Sequence, residues 1–136
     1  MDLIDFKILN TAIERLLNKE LAEYGITYTQ ATVIGYLNQN AGMEICQKDI
    51  EYNLGLSRPT VSSILKRMEE KQVIRTESQE SDRRCKRIVL TPKALEMSSD
   101  IRAKIAQITL SLFDGISPED QEKLSDIIKK VIQNIN

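Results

Sequence analysis

The chain has 136 residues, a net charge of −1 and no histidine, with 41% hydrophobic and 29% charged residues. This length suits one domain, and no apolar run approaches the roughly eighteen residues that a membrane span needs. Without histidine, Ser-His-Asp and Cys-His catalysis and the common zinc sets are excluded, and no P-loop or dinucleotide-binding motif occurs. We therefore expect a single non-enzymatic, cytoplasmic domain over residues 1–136, with no metal, no cofactor and no membrane contact.

The first two predicted helices are separated by a glycine. Apolar residues recur at three- and four-residue intervals over residues 3–24, which predicts an amphipathic helix that ends at Gly25. Thr27 and Gln30 have the spacing of a capping box, so a second helix is expected from about residue 28. A turn and a short strand over residues 43–45 are predicted to follow.

Two further helices are predicted around Gly55. The third covers about residues 47–53, and Ser57 caps a fourth in which Pro59 is tolerated in the first turn. Val61 and Met68 belong to its apolar inner stripe. Its outer side is polar and basic, and the candidate functional residues there are Ser57, Arg58, Thr60, Ser62, Ser63, Lys66 and Arg67.

A hairpin and two long helices complete the chain. Residues 72–91 contain two stretches rich in β-branched residues around a polar tip, which is typical of a two-stranded hairpin. Thr91 and Pro92 form a strong start signal for a fifth helix, and Ser117 with Pro118 starts a sixth. Both helices carry apolar stripes.

Positive charge is concentrated in the middle of the chain. Residues 57–93 hold ten Lys and Arg against five Asp and Glu, and four cations fall within positions 83–87. This distribution indicates a local polyanion-binding surface. A solvated hairpin edge protected from aggregation by charge would have the same composition, but the adjacent helices favour the first interpretation.

The order of these elements is that of a winged helix-turn-helix. It predicts a mainly α fold with a small β-hairpin wing, in which residues 28–92 bind DNA and residues 1–24 and 93–136 form a helical dimerisation region. The fourth helix would enter the major groove, and the wing would contact the backbone or the minor groove. The candidate DNA-binding residues of the wing are Asp82, Arg83, Arg84, Lys86 and Arg87. Ordinary surface residues are the alternative for the serines, and a simple turn residue is the alternative for Asp82.

The sequence resembles the MarR (multiple antibiotic resistance regulator) family. The resemblance rests on LGLSRPTVSSILKRMEEKQVIRT, on SDRRCKRIVLTPKA and on GITYTQATVIGYL upstream. It implies a homodimeric transcription regulator, more often a repressor, which binds a pseudo-palindromic operator in double-stranded DNA and responds to a small ligand or to oxidation. It also implies that Asp82 braces the wing and that Arg84 enters the minor groove.

Three positions depart from the pattern of that family. Gln72 and Ala94 stand where glycine is usual, and Ser81 replaces a frequent arginine. We expect these differences to affect the geometry of the wing tip and the choice of operator rather than the fold.

The cysteines and tyrosines each allow two interpretations. Cys85 lies among cations that favour a reactive thiolate, so it is a candidate redox residue, or else an incidental small residue. Cys46 is interpreted as structural. Tyr24, Tyr28 and Tyr36 either line a cavity for a small aromatic effector or simply pack in the core. A winged helix that serves only as a protein-interaction module is the alternative function.

Overall fold

The computed structural model describes residues 1–78 and 85–136, which are mainly helical with one antiparallel hairpin. The elements are α1 (Leu3–Leu21), α2 (Tyr28–Gln39), α3 (Gln47–Leu54), α4 (Arg58–Glu70), β1 (Ile74–Ser78), β2 (Lys86–Leu90), α5 (Pro92–Leu112) and α6 (Pro118–Ile135). The predicted fold class is therefore confirmed. In the part of the chain that is described, no helix combines the length and the apolar character needed to cross a bilayer.

The helix starts follow from local capping chemistry. The backbone N–H of Gln30 donates to the Thr27 hydroxyl, and the Thr27 N–H donates back to Gln30 Oε1, both at 3.2 Å. Ser57 and Ser117 cap α4 and α6 by accepting from the N–H groups three residues further on. These side chains satisfy amides that have no intrahelical partner, so the helices begin where the sequence predicts.

The chain divides into two compact units, residues 1–104 and residues 105–136. The core of the first unit is formed by apolar side chains from its helices and its hairpin. Those that are almost fully buried are Leu21, Val33, Ile34, Ile50, Val61, Met68, Val73 and Ile74. The second unit contains the end of α5 and all of α6, and the apolar residues of α6 are exposed in the single chain.

The hairpin has a simple antiparallel register in which Ile74 pairs with Leu90 and Ser78 pairs with Lys86. Successive side chains of a strand point to opposite faces, so this register divides the wing into two faces. The predicted short strand over residues 43–45 is wrong. That segment is irregular, and its tie to the hairpin is a backbone hydrogen bond from the Ile88 N–H to the Ile45 carbonyl at 2.8 Å.

Helix α4 ends in a left-handed turn at Gln72. The Val73 N–H donates to the Met68 carbonyl, and the Gln72 N–H donates to the Glu69 carbonyl, which together form a Schellman motif. Gln72 has a φ of +62°, a conformation that favours glycine. This backbone geometry explains why glycine is usual at this position in the family that the sequence resembles. In this chain the position holds Gln72, whose side chain makes the left-handed conformation less favourable.

Replacing Gln72 with glycine is expected to stabilise the protein. The change removes the left-handed penalty of a side chain, about 1–2 kcal/mol, while adding chain entropy to the unfolded state, so the net gain is about 0.5–1 kcal/mol. Urea unfolding followed by circular dichroism measures it. Gln72→Ala is the matched control, because it shortens the side chain but keeps the strain. A glycine variant no more stable than wild type would contradict this explanation of the turn.

The start of α5 is hydrogen-bonded to the residues that end α4. The Thr91 hydroxyl donates to the Gln72 carbonyl at 2.6 Å and accepts from the Ala94 N–H at 3.3 Å. Lys93 Nζ donates to the Lys71 carbonyl at 3.1 Å. The base of the wing is thereby held between two helices, and Ala94, the second departure from the family pattern, is fully buried there.

Within the first unit, helix α5 also forms ion pairs with the end of α1 and with the turn that follows it. Lys104 Nζ lies 3.2 Å from a Glu23 carboxylate oxygen and 3.4 Å from one of Glu20. The hydrogen bond to Glu23, with help from Glu20, raises the pKa of Lys104 above its usual 10.5. The lysine is therefore charged throughout the neutral range, and the ion pairs weaken only in strongly alkaline solution.

Candidate nucleic-acid interface

Helix α4 has the two faces that its sequence predicts. Val61, Leu65 and Met68 are buried on the inner face. The outer residues are all exposed, and they are Ser57, Arg58, Thr60, Ser62, Ser63, Lys66 and Arg67. The structure therefore presents a polar and basic helix face that begins at the helix N-terminus, as reading of base edges in a major groove requires.

Three hydroxyls on this face are hydrogen-bonded to neighbouring side chains. The Ser57 and Thr60 hydroxyl oxygens lie 2.8 Å apart. Gln47 Nε2, from the first turn of α3, donates to Ser62 Oγ at 2.8 Å and to the Arg58 carbonyl at 3.4 Å. Ser62 accepts in this bond, so its own proton stays available for a partner. The sequence pattern did not identify Gln47, because its role depends on a contact with a residue fifteen positions away.

A groove of about 700 Å³ lies between α3, α4 and the hairpin. Four cationic residues line it, namely Lys48, Arg58, Lys66 and Lys86, together with the acidic Glu51 and Glu69. Glu69 accepts a long hydrogen bond, 3.4 Å, from the Thr76 hydroxyl. The cations outnumber the acids, which gives the groove walls the sign of charge that attracts a phosphate backbone.

Lys48 was not among the DNA-binding residues predicted from the sequence, although its position in the chain could have indicated a phosphate contact. It is exposed in the first turn of α3, the first helix of the helix-turn-helix. In this motif the first helix crosses the DNA backbone while the second enters the groove. A cation near its N-terminus is therefore a candidate phosphate contact.

The two cations at the base of the wing lie on opposite faces of the hairpin. Lys86 lines the groove beside α4, together with Ile74 and Thr76 of the paired strand. Arg87 instead lines a separate cavity of about 160 Å³ with residues from the end of α2 and the following turn. Both were predicted from the sequence to contact phosphates, and strand alternation separates them.

The candidate residues at the wing tip, Asp82, Arg83 and Arg84, lie outside the described residues, as does Ser81. Their roles therefore stay predictions from the sequence and the resemblance.

The cysteines are joined in a disulfide between Cys46 and Cys85. Cys46 is the residue before α3 and its N–H donates to Asp49 Oδ2 at 2.9 Å, while Cys85 immediately precedes β2. Their Cα atoms are 5.9 Å apart, a usual separation for bridged cysteines. From the sequence, the two cysteines were interpreted separately, because a separation of 39 residues carries no local signal for pairing.

The three tyrosines are each half-buried in the first unit. The Tyr36 hydroxyl accepts from Asn53 Nδ2 at 3.0 Å, which ties α2 to α3. None of the three is among the residues lining the two cavities described above. Their proposed part in an effector cavity stays a prediction.

Two short helices, an exposed recognition helix and a two-stranded wing define a winged helix-turn-helix protein. The family model of the MarR family matches residues 24–84. Over this segment, which spans α2 to β1, the chain is similar in sequence to MarR-family proteins.

Solved structures with the same fold cover nearly the whole chain. The S. aureus MepR–DNA complex is 23% identical with a TM-score of 0.86, over 96% of this chain and 94% of that one. The transcription regulator MarR from Oenococcus oeni PSU-1 is 28% identical with a TM-score of 0.78, over 97% and 99%. A Listeria monocytogenes protein complexed with 26mer DNA is 22% identical with a TM-score of 0.89, over 99% and 89%.

Proposed function

We propose that this chain is a sequence-specific DNA-binding regulator that acts as a homodimer, with α4 in the major groove and the hairpin against the adjacent backbone. The observation that carries the proposal is the exposed polar and basic face of α4, which forms one wall of a groove lined by Lys48, Lys66 and Lys86. Two of the similar structures described above contain DNA, which supports the same use of the fold here.

The residues have different tasks in this proposal. Arg58 and the hydroxyl residues of the first turns of α4 read base edges, because guanidinium and hydroxyl groups match the donors and acceptors of the major groove. Lys48, Lys66 and Lys86 contact phosphates, which sets affinity and register without carrying sequence information. Asp82, Arg83 and Arg84 at the wing tip follow the resemblance. Arg87 lies on the other face of the hairpin, so we leave it outside the set of direct contacts.

Dimerisation is supported by apolar residues that each unit leaves exposed. In α1, Leu3 is 81% exposed and Ile4, Ile8 and Leu9 are also exposed. In α6, Ile135 is 77% exposed, with Ile127, Ile128 and Ile132 on the same helix. Apolar surface of this extent is typical of an interface, and two-fold symmetry would present two copies of α4 about 34 Å apart. Light scattering should then give twice the chain mass of 15.5 kDa.

We further propose that the protein represses transcription from a pseudo-palindromic operator and that a small ligand or oxidation alters its affinity. A regulator bound across a promoter blocks access to it, and relatives of this kind more often repress. A reporter gene placed behind the intergenic DNA upstream of this gene should be less active when the protein is present.

The decisive test is binding of the purified protein to that intergenic duplex, measured by fluorescence anisotropy over a series of salt concentrations. If each subunit neutralises three to five phosphates, affinity should fall by about 10³–10⁵-fold between about 50 and 200 mM salt. A duplex of the same composition with scrambled sequence is the matched probe. Equal affinity for both duplexes, or binding indifferent to salt, would favour a protein-interaction module instead.

A further inference from the structure

The disulfide joins the two elements that frame the proposed DNA-binding groove. Cys46 precedes α3, Cys85 precedes β2, and the adjacent Ile88 N–H to Ile45 carbonyl hydrogen bond holds the same two segments together. Both cysteines line the groove beside Arg58 and Lys66. We propose that this bridge is a reversible redox site, and that its oxidised form binds DNA more tightly. The proposal rests on the function proposed above.

A regulatory bridge fits this protein better than a purely structural one. A protein that regulates transcription works among reducing thiols, where a disulfide is usually transient and serves catalysis or redox sensing. The first unit already has an extensive apolar core that includes Ile50, Val61 and Met68. A core of this size can stabilise the fold without a permanent disulfide. Both cysteines are accessible to small reagents, because Cys85 is half-buried and both side chains line the open groove.

The bridge is coupled directly to the surface that would read DNA. Cys46 is followed by Gln47, which donates to Ser62 Oγ and to the Arg58 carbonyl on α4. Cys85 is followed by Lys86, which lines the opposite wall of the groove. One covalent bond therefore restrains α3, the recognition helix and the base of the wing relative to one another.

Restraint of this kind favours binding. The backbone hydrogen bond from Ile88 to Ile45 is not covalent, so after reduction it would restrain the wing base less than the disulfide does, and ordering the wing base on DNA would cost conformational entropy. The disulfide closes a loop with a sequence separation of 39 that encloses α3, α4 and β1, so part of that entropy is removed before DNA binds. Preorganisation of a binding surface raises affinity by lowering this cost.

The oxidation needs a two-electron oxidant, for which we propose a hydroperoxide. The thiolate of one cysteine attacks the peroxide, the O–O bond breaks, and an alcohol or water leaves with a sulfenic acid on the sulfur. The second thiol then attacks that sulfur, the S–O bond breaks, the S–S bond forms and water departs with the proton. The net change consumes two thiols and one hydroperoxide and yields the disulfide, one alcohol or water, and one further water. A dithiol reverses it through a mixed disulfide.

The experiment uses the full chain after treatment with hydrogen peroxide or with dithiothreitol, each removed before measurement. Free thiols are counted by the mass added on maleimide labelling, and affinity for the intergenic duplex is measured by anisotropy. We expect no free thiol after peroxide, a single-chain mass on a non-reducing gel, and an affinity at least about fivefold tighter than in the reduced protein, at the lower end of usual coupling between sites. Cys46→Ser and Cys85→Ser should each abolish this difference.

The outcomes separate this inference from the function on which it rests. Equal, measurable affinity in both states with the bridge formed would overturn the redox regulation alone. A bridge between two chains, or two free thiols after peroxide, would overturn it as well. Weaker binding by the oxidised protein would overturn the proposed direction, in which oxidation tightens binding. Absence of DNA binding in both states, with the bridge shown by thiol counting, would overturn the DNA-binding function and the regulation with it.

Discussion

Alanine at both Arg58 and Lys66 is expected to weaken binding to the intergenic duplex by about 100-fold or more without unfolding the protein. Both side chains are exposed on α4 and line the groove, so the change removes interactions with DNA and leaves the core untouched. In each protomer the variant loses two contacts with DNA, each worth about 1 kcal/mol or more, and in a dimer both protomers lose them. Anisotropy measures affinity, and circular dichroism verifies the fold.

The single variants distinguish base reading from phosphate contact. Arg58→Ala should relax the preference for the intergenic duplex over its scrambled counterpart, because a base-reading arginine carries sequence information. Lys66→Ala should weaken binding to both duplexes alike and reduce the salt slope by about 0.9 for each phosphate that is no longer neutralised. An unchanged salt slope for Lys66→Ala would argue against its assignment to phosphate.

The matched control removes the same number of positive charges from the second unit. Lys129 and Lys130 are exposed on α6, so Lys129→Ala with Lys130→Ala changes the net charge equally without touching the groove. We expect affinity to stay close to wild type. If this control weakens binding as much as the α4 variant, the effect is one of overall charge and the groove is not the interface.

Reduction of the disulfide is expected to lower the free energy of unfolding by about 4 kcal/mol. The bridge spans a sequence separation of 39, and closing a loop of that length restricts the unfolded chain by about this amount in the chain-entropy estimate. Domains of this kind are usually stable by about 5–15 kcal/mol, so the reduced protein should remain folded. Urea unfolding with and without dithiothreitol measures the difference.

The double variant Cys46→Ser with Cys85→Ser isolates the contribution of the bridge. Its unfolding midpoint should not respond to dithiothreitol, and it should lie near that of the reduced wild type. A wild-type midpoint unaffected by dithiothreitol would mean that the bridge does not restrict the unfolded chain in solution.

Much of the local structure could be predicted because it depends on neighbouring residues. Thr27 with Gln30, Ser57, and Thr91 with Pro92 begin helices through bonds that span three or four positions, and α2 begins at the predicted residue. The outer face of α4 follows from its helical period. Gln72 stood out against the glycine of the resembling family, and its positive φ explains why glycine is usual there.

The wing was predicted in outline but not in the direction of its side chains. The β-branched segments indicated two strands, whereas the pairing of Ser78 with Lys86 decides which residues share a face. Lys86 therefore meets α4 and Arg87 faces the turn after α2. A shift of register by one residue would have exchanged them, and composition carries no information about that shift.

The sequence by itself determined the helix starts, the apolar faces, the basic centre and the resemblance to a family, because these depend on residue type and on spacing within a few turns. Only the tertiary structure decided that Cys46 meets Cys85, that Gln47 holds Ser62, and that Lys48 joins the groove. Each of these contacts depends on how two segments pack in space, because residues that are far apart in the chain become neighbours only after the core has folded.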